Sequence, residues 1–124
     1  AEEMQMGMSI GLALTGKTVI SIYPRFDFLL LAVNQLVNHL DKLQDFSNHQ
    51  FNARVILRVG LGSISPLYPG VQHCGDYTMA LSCMLKHISV IKLSRPEMIM
   101  GTYQGVYSNP WSSLIIEDMN SYKE

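Results

Sequence analysis

Charge of either sign is sparse and evenly matched in this 124-residue sequence: nine basic residues face ten acidic ones, for a formal charge of -1. They are scattered, so no basic face invites nucleic acid or an anionic membrane. Cysteine is nearly missing too. Cys74 and Cys83 stand nine positions apart on what reads as one helical segment, which supports neither zinc nor a disulfide framework. Buried, reduced thiols in a cytoplasmic protein are expected instead. No apolar run approaches the ~18 residues of a spanning helix, and the acidic start Ala1-Glu2-Glu3 is wrong for a secretory signal. The expectation is therefore a soluble, intracellular protein. Gly60 and Gly62 fit neither a dinucleotide fingerprint nor a P-loop lysine motif, and read as turns at a pocket rim. An initiator Met is also absent, so the chain reads as cut from something longer or processed.

What is present suits one globular domain over residues 1–124: 48% of residues are hydrophobic and 15% charged. Residues 3–15 are apolar on nearly every side and predict a helix buried all round, ended by Gly16. Its interior Gly7 and Gly11 cost roughly 1 kcal/mol each against Ala, which suggests that another backbone passes close to that face. Residues 17–23 (KTVISIY) are β-branched and short, and predict a strand covered on both faces. Pro24 closes it, and a long helix follows from Arg25 to Leu43, with Phe28, Leu31, Leu36, Leu40 and Leu43 at helical spacing.

After a polar loop, residues 54–59 (RVILRV) predict a second strand, and residues 60–70 an irregular, functional loop. A helix over 76–85, a strand over 87–93 and a helix opened by a Ser94-Arg95-Pro96-Glu97 capping box come next. Asn109-Pro110 breaks that helix, and residues 113–117 (SLIIE) form the last strand. Helices alternating with short strands, none joined by a hairpin turn, predict an α/β three-layer sandwich with a mostly parallel sheet. Ligands of such sheets sit at the carboxyl ends of the strands, so the informative stretches follow Tyr23 and Val59.

Those stretches carry an ordered pattern. Glu2 is followed by Gly7 and Gly11, the strand Thr18 to Tyr23, the aromatic pair Phe26 and Phe28, and a helix bearing Gln35 and Asn38. Later come a strand ending in Arg58, a glycine-rich loop, Gln72-His73, and HISVIKLSRPEM. In this order they resemble the pyrimidine-binding domain of the thiamine-diphosphate-dependent transketolase and 2-oxoacid dehydrogenase beta-subunit superfamily, over nearly the whole chain.

The resemblance implies a thiamine diphosphate site shared between two domains. In the family a carboxylic acid bonds the cofactor's aminopyrimidine nitrogen, from a pocket apolar enough to keep the acid's pKa high; Glu2 holds that position. Phe28, with Phe26 nearby, corresponds to the aromatic wall of the pyrimidine site. Pro24 stands where an apolar side chain supports the cofactor. His73 matches an active-site histidine that meets substrate.

The Gly-Asp-Gly motif that holds the diphosphate and its Mg²⁺ belongs to another domain and does not occur here. The implied activity is cleavage or transfer next to a carbonyl of a 2-oxo acid or ketose, by a homo- or hetero-oligomer in which this chain is inactive alone. The first helix and the amide-bearing helix would pack against that partner domain. A complete family domain also has a helix and strand before the glutamate, and these are missing, so the chain is a fragment or a reduced homologue. The alternative function is a non-catalytic assembly module that keeps the fold.

Overall fold

The structure, a computed structural model, describes residues 1–123. Four strands, β1 (Val19–Tyr23), β2 (Val55–Leu61), β3 (Ser89–Leu93) and β4 (Ser113–Asp118), form one sheet in the order β1-β2-β4-β3. Every pairing is parallel, so the α/β reading holds, and all four carboxyl ends lie on one side of the molecule.

Helices cover the two faces unequally, giving three layers. On one face lie α1 (Glu2–Leu14), the segment from α2 (Phe26–Leu29) to α3 (Leu43–Phe46), and α4 (Thr78–Met84). They pack Met6, Ile10, Phe26, Leu29, Leu36 and Leu81 against the inward side chains Tyr23, Leu57, Val59 and Leu114. Burial of each such side chain contributes about 2 kcal/mol. The opposite face holds a smaller cluster, in which α5 (Met98–Ser108) sets Val106 on Ile56, Leu93 and Ile115.

This asymmetry corrects two expectations. Strand β1 is not covered on both faces: Ser21 and Tyr23 are buried, whereas Ile20 and Ile22 are exposed, because α5 packs over β2, β3 and β4 and leaves the edge strand bare. Nor is α1 buried all round; Met6, Ile10 and Ala13 face the core while Met4 (64% exposed), Met8 and Leu12 do not. Among the described residues no atom lies within 4 Å of a Cβ placed at Gly11, so none of their backbone presses on that face.

The long helix is interrupted. A 3-10 turn over Leu30–Ala32 and a π-helical stretch over Gln35–Leu40 separate α2 from α3. The buried apolar residues are Phe26, Leu29, Ala32, Leu36, Leu40 and Leu43, so tight and wide turns step the inward register in threes and fours. Leu31, expected inside, is 63% exposed. The wide turn also brings Asp41 inward, where its carboxylate accepts the backbone N–H groups of Lys86, His87 and Ile88 at 2.8–3.1 Å. A buried charge is tolerable there because each oxygen is hydrogen-bonded.

Other corrections are local. Cys83 is exposed and Cys74 only half-buried, and α4 begins after Cys74 rather than containing it. Ser94 opens no capping box: Glu97 holds the cap position of α5 without a side-chain bond. No helix among the described residues is long and apolar enough to cross a membrane.

Candidate functional site

Because α1 runs antiparallel to β1, the first turn of α1 returns to the carboxyl end of the sheet. There the Tyr23 hydroxyl donates to the Glu2 carbonyl oxygen at 3.3 Å, and burial pushes that phenol's pKa up. Gln5 clamps the same corner, donating to Ser21 Oγ and to the Ile22 carbonyl oxygen, both at 3.0 Å. The Glu2 backbone is thus anchored at the tip of the first strand.

Its carboxylate faces elsewhere. It pairs with the Ala1 amine at 2.8 Å with 28% of the side chain exposed, and that hydrogen bond holds its pKa below the usual glutamate value. Its setting is the end of an open groove of about 610 Å³ between α1 and β1, lined further along by Met4, Met8, Leu12, Ile20 and Ile22. Among the described residues Glu2 has no hydrogen bond or ion pair to Phe28 or His73.

Phe28 and His73 do meet. Their rings lie 5.5 Å apart at 63°, an edge-on contact that joins the helix after β1 to the loop after β2. Neighbouring bonds fix the junction: Arg25 Nη1 donates to the His73 carbonyl oxygen at 3.4 Å, and Asp27 Oδ1 accepts Gly75 N–H at 3.2 Å and the Tyr77 hydroxyl at 3.0 Å. The Asp27 carboxylate pushes the Tyr77 phenol pKa up. A Cβ at position 75 would lie 2.3 Å from that hydroxyl oxygen, so any larger residue there would have to push the Tyr77 ring out of its present place against Asp27. Phe26 is fully buried and packs edge-on against Tyr77 at 5.4 Å, a core position beneath the junction.

Pro24 is exposed at a cavity of about 240 Å³ shared with Arg58, Gly60 and Tyr122. A Cβ at Gly60 would come within 2.7 Å of both the Pro24 carbonyl oxygen and Met119 Sδ, so the terminal 3-10 turn (Met119–Lys123) reaches the sheet only over a glycine.

Beside that cavity lies a polar cluster that sequence reasoning missed. Arg58 Nη2 donates to Glu117 Oε2 at 2.6 Å, the Tyr103 hydroxyl donates to Oε1 at 2.5 Å, and the Tyr122 hydroxyl also donates to Oε2. Burial by itself would raise the Glu117 pKa, but these three donors hold it down to about 2. Its charge pushes the Arg58 pKa up, and burial together with Glu117 does the same for Tyr103. Arg58 on β2 and Glu117 on β4 lie two positions apart in register on neighbouring strands, Arg58 pairing with Ile115 and Glu117 with Gly60, and are far apart in the chain, so no local spacing announced the pair. Asp27 was equally silent, being one acidic residue between two phenylalanines.

The helix that bears Gln35 and Asn38 also contacts α1 through its amides, while Asn38 Nδ2 donates to Asn34 Oδ1 at 3.0 Å. Asn34 and Gln35 donate to Glu3 Oε1 at 3.4 and 3.5 Å. Among the described residues no cluster of three His, Cys, Asp or Glu side chains could hold a metal ion.

No family model matches the chain. It is similar to the pyruvate dehydrogenase E1 component subunit beta of Cyanidium caldarium, with 34% identity over 93 residues. The aligned part is 75% of this chain and 27% of that protein, so the chain spans about a quarter of its relative's length.

Proposed function

Starting from that likeness, we propose that the chain is the pyrimidine-binding half of a thiamine-diphosphate-dependent enzyme of the 2-oxoacid dehydrogenase or transketolase type. The observation that carries it is the meeting of Phe28 and His73: two positions picked out by the sequence pattern, from separate parts of the chain, come together at the carboxyl end of a parallel sheet. The residue types suit an aminopyrimidine, with an acid for its ring nitrogen, an aromatic edge for its face and an imidazole beyond. The environment of Glu2 fits only in part. Its carboxyl is ionised and partly solvated, whereas a shared proton calls for a raised pKa.

In this reading a diphosphate-binding domain with a Gly-Asp-Gly motif covers the corner, displaces water from Glu2 and holds the Mg²⁺. Burial then raises the Glu2 pKa. When bound, the cofactor supplies a carbon nucleophile for cleavage next to a carbonyl. Glu2 holds a proton at the pyrimidine nitrogen, Phe28 with Pro24 nearby bounds the ring, and Phe26 supports Phe28 from the core. His73 meets the oxygen of a 2-oxo acid or ketose. The enzyme is a cytoplasmic oligomer.

Calorimetry with thiamine diphosphate and Mg²⁺, on the chain with and without its partner, tests the proposal. Binding is expected only with the partner, and Glu2→Gln should lower turnover roughly 10²-fold or more. Turnover untouched by Glu2→Gln removes that residue from the mechanism.

A second reading, a non-catalytic assembly module, draws on the bare apolar surface of Met4, Met8, Leu12, Ile20 and Ile22. It predicts partner binding that is indifferent to cofactor and to Glu2→Gln.

A further inference from the structure

Two buried polar atoms in the Phe28–His73 junction have no hydrogen-bond partner among the described residues: Asp27 Oδ2 and His73 Nδ1. Each is costly to leave unmatched, typically ~1–3 kcal/mol, and the two are chemically complementary. An aspartate oxygen can only accept, while a neutral imidazole can place its hydrogen on either nitrogen. The segments that bear them are pinned to each other by Arg25 Nη1 on the His73 carbonyl, Gly75 N–H on Asp27 Oδ1, and the Phe28–His73 ring contact. Asp27 Oδ1 is already occupied by Gly75 and Tyr77, which leaves Oδ2 as the free acceptor.

We propose that Asp27 is a positioning residue for His73, accepting the ring's Nδ1–H on Oδ2 once the imidazole rotates toward it. The consequence is a fixed tautomer. Nδ1 carries the hydrogen, so Nε2 keeps its lone pair and can accept a proton or hydrogen bond from a ligand at the strand ends. This deepens the functional assignment and relies on it for the importance of His73, but the arrangement concerns the chain's own side chains and can be read without cofactor.

Free imidazole side chains in water favour hydrogen on Nε2, so an Nδ1–H tautomer is a diagnostic departure. Nitrogen-15 NMR of the neutral His73 ring in the 124-residue chain should show Nδ1–H as the dominant form. Asp27→Asn should invert it: the amide oxygen keeps Gly75 and Tyr77, and the new NH₂ group donates to Nδ1, moving the ring hydrogen to Nε2. Tyr77→Phe, which removes a donor from the other oxygen, should leave the His73 tautomer unchanged. An Nε2–H ring in the wild-type chain overturns the proposal, as does a tautomer that Asp27→Asn does not move. Should Asp27→Asn fail to fold, the wild-type spectrum alone decides. Failure of thiamine diphosphate to bind would leave these spectra as they are, so the two ideas fall separately.

Discussion

Replacing Glu117 with Gln would remove the charge on which Arg58, Tyr103 and Tyr122 converge. The carboxyl is held at about 2 in the folded protein against an ordinary 4.5. A depression of that size corresponds to about 3 kcal/mol in favour of the folded state at neutral pH. Arg58 is 36% exposed, and solvent screening of its end of the pair brings the expected loss to about 2 kcal/mol. The direction with pH follows from which state holds the proton. Above about pH 4.5 the carboxyl is ionised folded and unfolded, and the full contribution is present; as pH falls toward 2 the unfolded chain takes up the proton first and the contribution disappears. Urea unfolding at about pH 7 should therefore show Glu117→Gln less stable by about 2 kcal/mol, with the gap closing between about pH 4.5 and 2. Equal stability at neutral pH, or a gap that survives unchanged at the acid end, would refute the claim that this carboxylate holds the carboxyl end of the sheet together.

Two other substitutions test the packing. Gly60→Ala drives a methyl into the Pro24 carbonyl and Met119 and should cost about 1–3 kcal/mol in urea unfolding; a loss within error would mean that the terminal turn does not rest there. Asp41→Ala strips the acceptor from three backbone N–H groups and should cost about 3 kcal/mol, with faster hydrogen exchange at Lys86, His87 and Ile88. Unchanged protection at those amides would count against the buried carboxylate as their anchor.

Short β-branched runs alternating with helical periodicity were enough to determine a parallel α/β sheet, because local backbone preference and connection length leave few other ways to bury those strands. Phe28 and His73, singled out by the resemblance, do come into ring contact, and a parallel sheet gathers the segments that follow its strands. What sequence could not decide was coverage. Apolar content in α1 and β1 says that a face is fit for burial, not that an element lies over it; α5 covers β2, β3 and β4, so Ile20 and Ile22 stay bare. The inward register of the second helical segment likewise depended on tight and wide turns that bring Asp41 to its three amides. Only tertiary structure could pair Arg58 with Glu117, or set Asp27 beside the histidine loop, because hydrogen bonds join atoms that folding brings close, and nothing in linear spacing records that distance.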